Sequence, residues 1–386
     1  MPSSYQGVAV TCPVTISYEK RSNQSAAWWI GRALRALIEA AGITKAEIDG
    51  FAASSFTLHP DTSVGLVDHF GLTPRFLEWM PTGGASGIMA LRRAARAIQA
   101  GDAEIIACIA GDTNNADSFK GILENFSRFS TQAVLPYGGF GPNGVFAMIM
   151  RQYMEAFDAT REDIGRLAVM QRANGAQNPL ALLKKTITLE DYMAARPIAE
   201  PVHLLDCVMP CAGADGFLVM SEDRAQSLGL AYVTIAGSIE RHNAFPGAEQ
   251  LLQTGHAVDA GSLWEQASAG PDDMDLLETY DDYPVISMMQ MEALGFCGLG
   301  EAKHYVAETD MTLTGALPHN TSGGQLAMGQ AGAAGGYLGL VDAIRQLTRA
   351  PLGPQIEDAE YACVAGYGMV NYTHGLCSAA AVLRRP

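Results

Sequence analysis

The chain has 386 residues, 48% hydrophobic and 17% charged, so it can bury a core large enough for two domains or for two halves of one domain. Its formal net charge of −16 disfavours nucleic acid and anionic membranes as partners, because both would repel it. No signal peptide and no apolar run near the roughly 20 residues that span a bilayer is found, so we expect a soluble, cytoplasmic protein.

The first part of the chain predicts an alternation of strands and helices. We expect a strand at 8–10, an amphipathic helix at 25–41, a strand at 51–56, a glycine turn at 81–87, a helix at 88–100 and a buried strand at 105–111. This order of elements is typical of an α/β fold with tight strand-to-helix turns.

A different region, about residues 113–201, is richer in Asn, Phe, Tyr and Met. We predict a glycine turn at 136–142 and helices at 145–157 and 161–175, and we interpret the region as an insertion that covers one face. It contains Lys184, Lys185 and Arg196, which are candidates for pairing with a phosphate. A solvated surface is the alternative for any one of these side chains.

The second part repeats the order of the first. A helix at 263–269, a strand at 276–280, a glycine-rich turn at 322–336 and a helix ending near 350 are followed by Ala-Cys-Val-Ala-Gly at 362–366. That last run matches Ala-Cys-Ile-Ala-Gly at 107–111. The sequence therefore predicts a duplicated α/β unit, with halves at 1–230 and 231–386.

The stretch 317–336 carries six glycines and leads into a helix. Such a turn exposes backbone N–H groups and lets a ligand approach closely, which suits an anion or a developing oxyanion. Tight packing of the helix through its glycines is the alternative reading. The candidate binding residues are Asn320, Gly323, Gly324 and Gly329.

Several motifs in the right order resemble the thiolase superfamily, specifically its sterol-carrier-protein type, over nearly the whole chain. The motifs are at residues 205–207, 213–222, 280–284, 291–302 and 320–336. The resemblance implies a thiolase fold of two layered αβαβα halves, whose central helices meet beneath two mixed sheets. It also implies an inserted loop region over an acyl-CoA site, and a homodimer.

Three positions depart from the thiolase pattern. Gly84 stands where thiolases carry the nucleophilic cysteine, Gln330 where they carry a histidine, and Tyr280 where the sterol-carrier type has another histidine. The thiolase Cys-x-Gly motif near the C-terminus is also missing. Ser86 lies near the lost nucleophile, but no histidine is paired with it by sequence, so we predict that it only hydrogen-bonds at the helix start.

The closest pattern is that of the steroid side-chain-cleaving aldolases, thiolase relatives that lack the nucleophile and carry Tyr-Asp-x-Phe-Thr at residues 280–284. The chain also shares their run at 294–303, although they have a second tyrosine where Gln330 stands. They work with a small partner that contains an OB-fold. The resemblance implies retro-aldol cleavage of a β-hydroxyacyl-CoA, with coenzyme A as part of the substrate and no other cofactor. A steroid, aromatic or short branched acyl group would each serve.

Such a reaction needs a base near the hydroxyl group and donors to the enolate oxygen. Tyr280 is the candidate for proton transfer, with a pKa lowered by neighbouring donors or with a water relay. Gln330 and backbone N–H groups near Gly84 would stabilise the enolate. His374 is a second candidate base, or else a core histidine. Asp281 and Asp282 are not expected to form a dyad, because adjacent strand residues point to opposite faces.

Two rival functions stay open at this stage. One is an acyltransferase that uses Cys297 or Cys377 as nucleophile, which predicts sensitivity to thiol alkylation. The other is a non-catalytic thiolase-like subunit that binds acyl-CoA without turnover. The seven cysteines are expected to be reduced, and Cys207 and Cys211 lack a second ligand pair, so no metal site is predicted.

Overall fold

The structure is a computed structural model that describes residues 4–115, 132, 135–138, 141–247, 252–371 and 374–386. The strands of this part are β1 (Val8–Glu19), β2 (Gly50–Ser54), β3 (Phe76–Trp79), β4 (Ile105–Thr113), β5 (Pro197–Ala199), β6 (Val202–His203), β7 (Ala212–Ser221), β8 (Tyr232–His242), β9 (Leu276–Thr279), β10 (Tyr361–Asn371) and β11 (His374–Arg384). The α-helices are α1 (Ala26–Ala41), α2 (Ser63–Phe70), α3 (Ser86–Ala100), α4 (Gly141–Phe157), α5 (Arg161–Ala176), α6 (Leu189–Met193), α7 (Glu222–Ser227), α8 (His256–Ala267), α9 (Pro284–Leu294), α10 (Ala302–Glu308), α11 (Gly324–Met328) and α12 (Gly335–Leu347).

The main sheet has nine strands in the order β3-β2-β4-β7-β1-β8-β11-β10-β9. The pairs that involve β2 and the pair β9–β10 are parallel, and the other pairs are antiparallel. Toward the centre of the sheet, one half has the order β2-β4-β7-β1, with β3 outside β2, and the other half has the mirrored order β9-β10-β11-β8. This arrangement confirms the predicted duplication of an α/β unit.

The two half-sheets are joined at the centre by a short antiparallel pair between β1 and β8, in which Ala9 faces Thr234 and Thr11 faces Tyr232. The resemblance implied two mixed sheets, and the inner edges of β1 and β8 hydrogen-bond and connect them. Pairing satisfies backbone N–H and C=O groups that would otherwise be left open at two strand edges.

The central helices α3 and α12 pack against each other and contact strands of both halves. They therefore lie between the half-sheets, and α1 and α8 cover the outer faces. Alternate residues of β4 support this layering, because Ile106 and Cys108 pack with the central helices while Ile105 and Ala107 pack with α1. The layered α/β architecture predicted from the sequence is confirmed.

Local sequence explains where α1 begins and ends. Ser25 caps the helix by accepting a hydrogen bond from the backbone N–H of Trp28 (3.2 Å), and Gly42 ends it in the left-handed conformation at φ 65°. Its buried residues include Trp29, Ala33 and Leu37, which recur at helical spacing and face the sheet. Replacing Leu37 with Ala would cost about 2–5 kcal/mol.

The inserted region contributes α4, α5 and α6 and the small hairpin of β5 and β6. Helix α5 starts at Arg161 as predicted, behind a capping box of Thr160 and Asp163. Helix α4 starts at Gly141, earlier than expected; part of the predicted glycine turn, residues 139 and 140, lies outside the described residues. Within the described ranges, no helix combines the length and the apolar character needed to cross a membrane.

Helix α9 is buried on all sides, since each of its 11 residues is shielded from solvent. Pro284 occupies its first turn, where a missing N–H costs nothing, and Gly295 ends it at φ 86°. The four residues between β9 and this helix, 280–283, are thus held at both ends by rigid core elements. The candidate site is built on them.

Candidate active site

The site forms where the end of β9 meets two glycine turns, residues 83–85 before α3 and residues 332–334 before α12. A Cβ atom added to Gly84 would overlap the carbonyl oxygen of Tyr367 and the ring of Tyr280. The space that a side chain at position 84 would need is therefore filled. No residue larger than glycine fits there without displacing the tyrosine ring.

The side chains of Tyr280, Asp282 and Gln330 form a polar cluster. Interaction with Asp282 raises the pKa of Tyr280, and interaction with Gln330 lowers the pKa of both Tyr280 and Asp282. Tyr280 and Gln330 are each only 7% exposed. Burial raises the pKa of Tyr280 far above its usual value, and the nearby Asp282 carboxylate raises it further. The tyrosine is therefore a neutral phenol at physiological pH, and the lowered pKa considered from the sequence is wrong.

Asp282 is the residue of the cluster that titrates near neutrality. Burial raises its pKa to about 7, and the charge of Asp281 adds to this, while hydrogen bonds from Tyr280 and Gln330 act in the opposite direction. Its Oδ1 atom is buried and accepts no hydrogen bond from any described residue. Asp282 thus combines a free acceptor atom with the pKa that suits a general base at neutral pH.

Gln330 is fixed through its backbone and its side chain. Its N–H donates to the Met209 carbonyl (2.8 Å), and its own carbonyl accepts from the Cys211 N–H (3.1 Å). The side-chain Oε1 accepts from the Gly332 N–H at 3.2 Å. Because the amide oxygen is engaged there, the amide NH₂ group is turned toward Tyr280 and Asp282.

Asp281 points away from this cluster. It accepts hydrogen bonds from the backbone of Gln325 (3.0 Å) and Leu326 (3.2 Å) and from the Gln171 amide (2.8 Å). The adjacent carboxylates therefore serve different partners, and no dyad forms, as predicted. From the sequence, Asp282 was rejected as half of a dyad and received no role of its own, although residues 280 and 282 share a face of an extended strand.

The glycine-rich stretch divides into lining and packing positions. Asn320 and Gly324 border a small cavity of about 10 Å³ together with Gly84 and Tyr280. Asn320 accepts from the Thr279 N–H (2.8 Å), and its Nδ2 atom donates to no described residue. Gly323 and Gly329 instead allow close packing, because a Cβ there would meet the Gly175 backbone and, at 2.8 Å, the Cys211 sulfur.

Ser86 and the buried His319 have structural contacts near the site. Ser86 donates to the Met80 carbonyl (2.9 Å) and accepts from the Thr82 N–H (3.1 Å), the helix-start role expected for it. His319 is bonded to Thr279 (2.8 Å), and burial lowers its pKa to about 3, so it stays neutral. His374 begins β11, but its side chain lies outside the described residues, and its role stays a prediction.

The proposed phosphate-binding residues, Lys184, Lys185 and Arg196, are exposed. The segment of the two lysines is anchored to α11, because the Leu183 N–H donates to the Ala327 carbonyl (3.0 Å), whereas Arg196 lies just before β5. The Lys184 ammonium donates to the Pro179 carbonyl at 2.7 Å. Their pairing with coenzyme A stays a prediction.

The seven cysteines are free thiols, and burial raises the pKa of each. The pKa of Cys297 is raised to about 12 and that of Cys377 to about 11, in both cases by burial first and by nearby carboxylates second. A nucleophilic cysteine needs its thiolate form, which is scarce at these values. These raised pKa values weigh against the acyltransferase reading.

Known proteins share this fold and much of this sequence. Residues 237–381 match the family model described as thiolase C-terminal domain-like. The chain is 30% identical over 329 residues to the steroid side-chain-cleaving aldolase of Thermomonospora curvata, a match that covers 80% of this chain and 83% of the relative. It is 30% identical over 378 residues to the 17-hydroxy-3-oxo-4-pregnene-20-carboxyl-CoA lyase of Mycobacterium tuberculosis, covering 91% and 94%. The solved Ltp2-ChsH2(DUF35) aldolase superposes with a TM-score of 0.82 at 27% identity and covers 98% of each chain.

Proposed function

We propose a retro-aldol reaction for this chain, which belongs to the thiolase superfamily and is related to its steroid side-chain-cleaving aldolases. It is a carbon–carbon lyase that cleaves a β-hydroxyacyl-CoA into a ketone or aldehyde and a shortened acyl-CoA. The roles of individual residues below, the acyl group and the partners are our proposal.

One observation carries this mechanism. The ring of Tyr280 fills the space that a cysteine at position 84 would occupy, and Asp282 and Gln330 lie beside Tyr280 and shift its pKa. The place of a covalent nucleophile is thus taken by a phenol attached to a proton acceptor. A retro-aldol cleavage needs a proton acceptor and no covalent intermediate, so this replacement suits it.

Cleavage begins with the β-hydroxyl group of the substrate. Its proton passes to the Tyr280 oxygen as the Tyr280 proton passes to the Asp282 carboxylate. The Cα–Cβ bond then breaks, the β-carbon becomes the carbonyl carbon of the released product, and the electron pair forms the thioester enolate. A relay of this kind accounts for a tyrosine whose own pKa is far too high to ionise.

The enolate is stabilised and then quenched. In the proposal the Gln330 NH₂ group and the backbone N–H groups of the turn at 83–85 donate to the enolate oxygen, a contribution typically worth about 10² to 10³ in rate per donor. The proton held by Asp282 returns through Tyr280 to Cα, which yields the shortened acyl-CoA. The proton count balances, since the hydroxyl proton ends on Cα.

The substrate class and partners follow from the relatives. A bulky, steroid-like acyl group is proposed because one relative is named as a lyase of a pregnene carboxyl-CoA. An OB-fold partner subunit is proposed because the matched aldolase structure is named for two components. The coenzyme A phosphates are assigned to Lys184, Lys185 and Arg196, and the chain is proposed to form a homodimer.

The test compares two neighbouring tyrosines. A steroid-type β-hydroxyacyl-CoA is incubated with the wild-type chain, with and without a co-expressed OB-fold partner, and ketone and acyl-CoA products are quantified. Tyr280→Phe should reduce kcat at least about 10²-fold because the relay is broken. Tyr283→Phe is the matched control, because its hydroxyl donates to Asn143 and not to the cluster, and it should keep most of the activity. Equal losses in both variants, or full activity in Tyr280→Phe, would refute the relay.

A further inference from the structure

Each half of the molecule fixes the glycine turn of the other half. The matching runs at 107–111 and 362–366 are followed by Asp112 near the end of β4 and by Tyr367 within β10. The Tyr367 carbonyl lies against Gly84 in the first-half turn, where a Cβ would overlap it. In the same way, a Cβ on Gly332 in the second-half turn would overlap the Asp112 carboxylate. In this duplicated fold, a strand residue of each half therefore supports the glycine turn of the other half.

The Asp112 carboxylate holds its surroundings through several hydrogen bonds. Asp112 is fully buried, and its carboxylate accepts from the backbone N–H groups of Phe56 (2.9 Å), Thr57 (2.7 Å) and Ala333 (2.7 Å). It also accepts from the hydroxyl groups of Ser55 (2.7 Å) and Thr57 (2.6 Å). A buried carboxylate is costly unless it is satisfied in this way, so the contacts hold both the loop after β2 and the turn before α12.

The contact with the second turn leads directly to the site. Asp112 binds the Ala333 N–H, and the preceding Gly332 N–H donates to the Gln330 Oε1 at 3.2 Å. Gly332 has φ 60°, a backbone conformation that favours glycine. In this conformation the N–H groups of Gly332 and Ala333 each reach their acceptor. The direction of the Gln330 amide therefore depends on where Asp112 holds the turn.

We propose that Asp112 is a positioning residue of the lyase site, acting through the Gly332–Ala333 peptide to aim the Gln330 amide at the reacting oxygen. This inference rests on the proposed function for its catalytic consequence. Its structural consequence, an ordered turn at residues 330–334, is independent of that function. Both consequences are measurable.

The kinetic arm is a double-mutant cycle with Asp112→Asn, Gln330→Ala and the double variant. Asp112→Asn keeps the side-chain volume but presents an NH₂ group to N–H donors, and it should lower kcat about 10- to 100-fold with a much smaller change in KM, as expected for a misplaced donor. If Asp112 acts through Gln330, the double variant should match Gln330→Ala within about twofold. Asp215→Asn is the control, because Asp215 is an equally buried carboxylate that binds Tyr18 and Thr15, and its effect should simply multiply with that of Gln330→Ala.

The structural arm is hydrogen–deuterium exchange of the wild-type and variant chains, followed in peptides that cover residues 330–334. Asp112→Asn should raise exchange in this turn, and Asp215→Asn should not. Multiplicative losses in the cycle, or unchanged exchange of the turn in Asp112→Asn, would overturn the inference. A wild-type chain that cleaves no β-hydroxyacyl-CoA would defeat the proposed function instead, and the exchange result would still decide whether Asp112 orders the turn.

Discussion

Replacing Asp282 with Asn removes the proposed proton acceptor while preserving the shape of the side chain. The Oδ1 atom of Asp282 accepts no hydrogen bond from the described residues, so the substitution leaves most of the local contacts in place. General acid–base catalysis contributes typically about 10² to 10⁴ in rate, or about 3–5 kcal/mol of the barrier at 1.36 kcal/mol per factor of ten. We expect kcat to fall by that range while acyl-CoA binding changes little.

The pH dependence of kcat/KM tests the same role of Asp282. Burial raises the pKa of Asp282 to about 7, and the groups that face it are the Tyr280 hydroxyl, the Gln330 amide and the charge of Asp281. The active form is the carboxylate, so kcat/KM should be constant above about pH 7 and fall tenfold per pH unit below it. Asp282→Asn should abolish this acid limb.

The assay is steady-state product formation between pH 5.5 and 9, with thermal unfolding at each pH to exclude loss of the fold. An Asp282→Asn variant that keeps the wild-type rate, or that keeps the acid limb near pH 7, would refute the role assigned to Asp282.

Three other outcomes are expected. Gly84→Cys should not restore a covalent thiolase activity, because the new side chain overlaps Tyr280; overpacking of this kind should cost about 1–3 kcal/mol in an unfolding experiment, and an unchanged stability would contradict the overlap. Iodoacetamide at pH 7 should leave most of the lyase activity, since all seven thiols have raised pKa values, whereas rapid loss of activity would point to a cysteine nucleophile. Burial lowers the pKa of His256 to about 4 in the folded chain. The neutral ring therefore contributes its full stability above about pH 6.5, the pKa of histidine in the unfolded chain. As the pH falls from about 6.5 toward 4, the free energy of unfolding should drop by up to about 3 kcal/mol. Urea unfolding at pH 7 and 4.5 should show a smaller pH effect in His256→Gln, and an equal effect would be inconsistent with this assignment.

The sequence predicted the features that depend on local pattern. Helix α1 begins behind Ser25 and ends at Gly42 as the capping residues require, and α5 starts at Arg161. The start of α8 was predicted wrongly at 263, since the helix begins at His256, whose buried ring is bonded to Thr254 and to the Ala379 carbonyl. The contact with Ala379 is with a distant strand, β11, and periodicity in the sequence cannot reveal it.

In the candidate site, too, local motifs predicted some features, whereas others depend on contacts between distant residues. The loss of the nucleophile at Gly84 and the placement of Tyr280 and Gln330 in one site were readable from motifs, whereas the presence of Asp282 beside them was not. Gln330 is separated from the other two by about 50 residues, and its amide is aimed through Asp112, which lies 221 positions from Ala333. Such contacts are set by the way the two halves meet, and a single sequence carries no signal of that distance.

The measurement that tests the central claim most directly is intact-protein mass spectrometry during a single turnover with a β-hydroxyacyl-CoA, with released products scored in the same sample. The account predicts a ketone or aldehyde and a shortened acyl-CoA, with no mass added to the protein at any time. An acyl adduct that forms and decays at the rate of product release would contradict it, because the reaction would then proceed through a covalent enzyme intermediate.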